Sequence, residues 1–188
     1  MARTGALICL ALGVAPWLGA PGAPPVLAPA LALELRGSTY FARPPWKVDL
    51  VSYRTDAGDP LAEYFFTVEL DPAAGASLGG LQIRQSEGPD SNLPFSPDRT
   101  RAFLGRPRGG GAPIPVEAEF MPREGEVRVR FPQPVPPGST VTVMLKPWFN
   151  PSMPGTYLFQ VTAFPDGPNP NPTSLGSARL RIYRPDWR

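Results

Sequence analysis

PVPPGSTVTVMLKPWFNPSMPGTYLFQVTAFPDGP, residues 134–168, holds two alternating segments joined by a proline-bounded connection, and the fold follows from it. In the first segment Val141, Val143 and Leu145 fall on one side, and Thr140, Thr142 and Lys146 on the other. Extended backbone points successive side chains to opposite faces, so this period of two marks a half-buried strand. In the second segment Tyr157, Phe159, Val161 and Ala163 form one row, with Leu158, Gln160 and Thr162 opposite. Gly138 and Gly155 mark turns ahead of the strands. Pro147, Pro151 and Pro165 bound them, because proline cannot donate to a ladder.

Working outward, the same alternation recurs along the chain. Leu33 to Arg36 reads as a short edge strand, and Lys47 to Tyr53 and Glu63 to Leu70 as longer ones. Tyr64, Phe66, Val68 and Leu70 give the third of these its apolar side. Asp71-Pro72 has the form of a helix start that Gly75 ends within about one turn. Leu81 to Gln85 resumes the strand pattern. Ser96-Pro97-Asp98 is a second cap-and-proline start and predicts a helical turn through Phe103. Ile114 to Phe120 and Val127 to Phe131 predict a hairpin in the register that opposes Phe120 to Val127. Glu119 then faces Arg128, and Glu117 faces Arg130. Ala178 to Tyr183 makes the last strand, with Arg179 and Arg181 outward. Seven or eight one-sided strands with almost no helix predict an immunoglobulin-like antiparallel β-sandwich with short helical turns in its loops. A closed barrel is the alternative.

Composition limits the chemistry. The 188 residues include 28 prolines and 19 glycines, which sit between the alternating segments as all-β turns require. One cysteine, Cys9, leaves no partner for an intrachain disulfide. A chain of this length buries about 70% of its unfolded surface and needs no such staple. Histidine is absent, which removes the usual general base near neutral pH and the commonest nitrogen ligand for metals. Serine–histidine and cysteine–histidine nucleophilic systems are excluded with it. Eighteen basic against 16 acidic residues give no global field toward nucleic acid or anionic membrane.

Arg3 followed by the apolar run GALICLALGVAPWLGA reads as an export signal, residues 1–32. Ala30-Leu31-Ala32 supplies the cleavage pattern, placing the mature start at Leu33 and a single domain at 33–188. Cleavage after Ala20 would leave Pro21 next to the cut. An uncleaved anchor is a second reading, although the run is interrupted by Pro16 and is shorter than the ~20 residues of a span. Lipid attachment at Cys9 is disfavoured by Ile8 before it. Without a second apolar stretch, the mature chain is expected in the periplasm, extracellular space or cell surface, without stable membrane insertion.

The run PVPPGSTVTVMLKP, the Asn150-Pro151 pair, GTYLFQVTAFPDGPNP and the ending from Leu175-Gly176 through Tyr183-Arg184 resemble the cyanobacterial family catalogued as domain of unknown function 2808. Pro44-Pro45, Tyr64-Phe65-Phe66-Thr67 and Arg101-Ala102-Phe103-Leu104-Gly105 extend the resemblance over nearly the whole mature chain. It implies an exported protein of a photosynthetic bacterium. It brings no established activity, substrate, cofactor or catalytic residue.

Two stretches are candidates for binding. Trp148 and Phe149 lie in the connection between the two strands of the opening stretch, where a solvent-facing indole could stack on a sugar or anchor a protein. The competing reading folds Trp148 over the end of the core. Arg99, Arg101, Arg106 and Arg108, followed by Gly109 to Gly111, form the one locally basic stretch, suited to phosphate, sulfate or anionic polysaccharide. Its structural reading is a solvated loop answering Asp90 and Asp98. Among the carboxylates Asp49, Glu63, Glu69, Asp90, Asp98 and Asp166, no spacing selects the pair that glycoside hydrolysis needs. Asp166 to Asn171 lacks the acidic alternation of a calcium loop and reads as a proline-stiffened turn. The expectation is a non-enzymatic envelope interaction or structural module without cofactor or metal, whose partner is an envelope protein or polysaccharide and not nucleic acid. A carbohydrate-binding module is the alternative, and a carboxylate-dependent hydrolase the third reading.

Overall fold

The computed structural model describes residues 33–35, 37–91 and 93–185. The export signal and its cleavage site lie outside the described residues. The chain forms β1 (Leu33–Leu35), β2 (Ser38–Tyr40), β3 (Val48–Val51), β4 (Tyr64–Glu69), β5 (Leu78–Glu87), β6 (Arg101–Leu104), β7 (Pro113–Ile114), β8 (Glu117–Met121), β9 (Glu126–Val135), β10 (Thr140–Leu145), β11 (Gly155–Pro165) and β12 (Thr173–Ile182). β1 and β2 pair with each other. The other ten make two five-stranded antiparallel sheets, in the orders β3-β4-β10-β6-β7 and β12-β11-β5-β9-β8. This is the expected immunoglobulin-like sandwich, with more strands than the seven or eight that alternation alone marks out.

The inner faces are the rows that alternation predicts. Tyr64, Phe66 and Val68 from β4 and Val141, Val143 and Leu145 from β10 meet Tyr157, Phe159, Val161 and Ala163 from β11, all fully buried. Phe159 lies at the centre of an aromatic cluster, with edge contacts to Phe66, Tyr64 and Phe95 at centroid distances of 5.7, 6.0 and 6.5 Å. Such edge-to-face pairs place a positive ring edge on a negative face, and each adds about 0.5–1.5 kcal/mol beyond burial. The two strands of the opening stretch therefore supply opposite walls of one core, β10 central in one sheet and β11 between β12 and β5 in the other.

Three local expectations are corrected. The cap-and-proline start at Ser96 yields only a 3-10 turn, Pro97–Arg99, and Phe103 lies in a strand. Thr100 is already extended, and residues 101–104 take ladder positions along β10. Pairing with a central strand outweighs the local helix signal. The expected strand from Ile114 to Phe120 is split at Pro115: β7 ends the first sheet, and β8 begins the edge of the second. Proline interrupts the ladder there and hands the chain across. Asp71-Pro72 gives a turn without a helix, in which the Asp71 carboxylate accepts the Ala73 N–H at 2.7 Å.

The β8–β9 hairpin has the predicted register, with Phe120 opposite Val127, Glu119 opposite Arg128 and Glu117 opposite Arg130. Arg130 and Glu117 form an ion pair at 3.1 Å. Arg128 turns instead to Glu126 at 2.7 Å, because that carboxylate is 5% exposed and needs a compensating donor.

Candidate functional site

Loops that follow β3, β5 and β10 meet at one end of the sandwich. Asn150 ties them together from inside. It is fully buried, its amide donating to the carbonyls of Arg54 and Asp56 and its Oδ1 accepting the Tyr64 hydroxyl at 2.8 Å. Lys146 extends across the same end, its Nζ donating to the carbonyls of Pro60 and Ala62. The Trp148 N–H donates to the Pro94 carbonyl at 3.0 Å. The Asp90 carboxylate accepts from the Ser152 hydroxyl and the Met153 N–H, and Tyr157 donates its hydroxyl to the Met153 carbonyl at 2.7 Å. Burial raises the pKa of both Tyr64 and Tyr157, so each hydroxyl is held protonated as a donor.

This bracing leaves a set of apolar side chains outside. Trp148 is 65% exposed, Phe149 48%, Met153 49% and Leu61 58%. The indole is thus solvent-facing and does not fold over the core. Phe149 borders an open cleft of about 410 Å³ whose other walls include Pro89, Asp90, Leu93, Pro94 and Pro151. The nearby buried aromatic is Phe95, which the sequence reading left inside an irregular stretch.

The four arginines of the basic stretch are dispersed. Arg99 is exposed at the end of the 3-10 turn. Arg101 donates to the backbone carbonyls of Asp98 and Thr100. The loop that follows β6 then folds back over the outer face of the first sheet. Its Arg106 bridges Asp49 at 3.2 Å and Glu69, and the hydrogen bonds to Glu69 and Asp49 raise the pKa of the guanidinium. Arg108 lies over the Tyr53 ring, 3.5 Å from its centroid. The acids that answer this loop are Asp49 and Glu69 rather than Asp90 and Asp98. Asp49 and Glu69 are joined through a guanidinium, and the cavity beside them is about 20 Å³, room for a water and not for a sugar.

Among the described residues no helix is long and apolar enough to cross a membrane. No curated protein matches the chain in sequence. Solved structures similar to it include BslA, a bacterial hydrophobin, at 12% identity and a TM-score of 0.47, covering 77% of this chain and 100% of that one. The collagen-binding subdomain of the Enterococcus faecalis surface protein ACE is 10% identical with a TM-score of 0.44, covering 74% and 98%. The collagen adhesin of S. aureus is 5% identical with a TM-score of 0.43, covering 75% and 50%. Residues 38–182 match the family model described as protein of unknown function (DUF2808), and the chain belongs to that family.

Proposed function

We propose that this protein is an exported, non-enzymatic interaction module of a cyanobacterial cell envelope, which docks a protein partner through the loop end bearing Trp148 and Phe149. The observation that carries the reading is the exposed apolar set on a hydrogen-bonded base: Trp148, Phe149, Met153 and Leu61 stand out while Asn150 and Lys146 hold their loops. Large rigid side chains of this kind dominate protein interfaces, because they bury much area with little rotamer entropy to lose. Asp90, Lys146 and Asn150 around the set are already paired within the chain, so desolvating the surface does not strand them. Arg106 and Arg108 are engaged within the chain, which favours the loop end over the basic stretch.

The test is retention of the purified protein on isolated envelope, before and after protease treatment of that envelope. Retention that disappears with protease, and is lost in Trp148→Ala at an unchanged melting temperature, supports a protein partner. Retention that survives protease, or a Trp148→Ala variant that binds normally, overturns the reading.

A further inference from the structure

A second surface carries a different chemistry. On the outer face of the second sheet, β5, β9 and β11 leave a groove of about 590 Å³, within the range of about 300 to 1,000 Å³ common to small-ligand sites. Gly80 stands directly opposite Arg130 on one side and Phe164 on the other. A row that would otherwise carry three side chains therefore carries two, on strands separated by two ladder spacings, about 10 Å. The gap is fixed by the backbone. A Cβ on Gly80 would stand 2.6 Å from the Val129 carbonyl oxygen, and one on Gly79 would stand 3.1 Å from the Asp166 Cα.

Gln82 and Arg128 stand opposite each other one row along, and the Glu126 carboxylate of the row beyond accepts from Gln82 Nε2 at 2.5 Å and from Arg128 Nε at 2.7 Å. This nearly buried acid aligns both side chains from behind. It engages Arg128 by its Nε and leaves the two terminal nitrogens for a ligand. Arg130 commits one terminal nitrogen to Glu117, at 3.1 Å on the exposed surface. Asp166 borders the far end and is exposed.

A guanidinium presents paired N–H groups whose spacing matches the oxygens of a carboxylate or sulfate. Phe164 offers a ring face for the C–H side of a pyranose, and the Gln82 carbonyl and Asp166 carboxylate accept hydroxyl protons. We propose that this groove binds an acidic saccharide, one bearing carboxylate or sulfate groups. The inference is independent of the loop-end reading, since it uses none of the same residues.

Calorimetric titration of the protein with tetragalacturonate tests it, with cellotetraose as the neutral counterpart and sodium sulfate as the anion without a sugar ring. Tetragalacturonate is expected to bind about tenfold or more tightly than cellotetraose or sulfate, as loss of charge-assisted hydrogen bonds implies. The double variant Arg128→Gln with Arg130→Gln loses that binding by about tenfold or more. Since Arg128 also compensates the nearly buried Glu126, the single variant Arg130→Gln, whose partner Glu117 is exposed, is the control that weakens binding at an unchanged melting temperature. Phe164→Ala weakens it, and Trp148→Ala leaves it intact. Amide shifts induced by the probe fall on Gly79, Gly80 and Gln82. Absence of binding, equal binding of cellotetraose or sulfate, indifference to the arginine pair, or shifts at the loop end would each overturn the proposal.

Discussion

Asn150 uses every polar atom of its side chain inside the molecule, donating twice and accepting once, while its neighbour Phe149 and the nearby Trp148 stay in solvent. Removing it strands the buried Tyr64 hydroxyl and takes a donor from two part-buried loop carbonyls, of which that of Arg54 keeps the Ser52 hydroxyl. Unsatisfied buried groups cost about 1–3 kcal/mol each, partly recovered where water enters, so Asn150→Ala should lower stability by about 3 kcal/mol. Urea denaturation of the two proteins measures this, and a loss below about 1 kcal/mol would mean the loops close without the asparagine. The role was not legible in the sequence. Asn150-Pro151 looks like any turn pair, and its partners Arg54, Asp56 and Tyr64 lie more than eighty residues earlier. Inside a strand, alternation tells which side chain faces in. In the connection after Lys146 no such rule applies, which is why the exposure of Trp148 needed three dimensions.

Elements were legible where the pattern is local and regular. Register in the β8–β9 hairpin follows from apolar rows and matched charges, and both lie within fifteen residues of each other in the chain. β6 was hidden, since four residues after a proline turn carry too little alternation to outweigh a helix start. The loop after β6 was hidden more deeply, because what fixes it is the opposite edge of the sheet. Thr142 donates its hydroxyl to the Gly105 carbonyl and accepts from Thr67, while Arg106 reaches Asp49 and Glu69. These ion pairs are exposed, and exposed pairs contribute about 0–1 kcal/mol to global stability. Arg106→Ala is therefore expected to leave the denaturation midpoint nearly unchanged yet to loosen the loop. Hydrogen exchange should report faster exchange across residues 105–112 with β4 and β10 unaffected, and raised salt should reproduce part of the effect by screening. Unchanged exchange in the loop would show that the threonine and backbone bonds hold it alone.

At the scale of the molecule, the absence of histidine and the burial of two tyrosines set how stability depends on pH. No side chain has an ordinary pKa between about 5 and 8, so folding takes up or releases few protons there and stability should be level. The alkaline side differs. Burial raises the pKa of Tyr64 and Tyr157 in the folded state, so the folded chain keeps protons that the unfolded chain gives up above about pH 10. The unfolded state then binds fewer protons than the native one, and stability falls as pH rises. The contribution of these tyrosines is fully present below the unfolded value and is lost on approach to the raised folded one. Each tyrosine that ionises only on unfolding contributes a slope of about 1.4 kcal/mol per pH unit. Thermal unfolding followed from pH 6 to 11 should thus give a plateau and then a decline beginning near pH 10. Tyr64→Phe separates titration from packing. Losing the hydrogen bond to Asn150 lowers the whole curve, whereas losing the ionisable hydroxyl makes the alkaline decline shallower. A parallel displacement with the original slope would mean that Tyr64 ionises equally in both states, and the sealed interface between the two sheets around it would then be open to water.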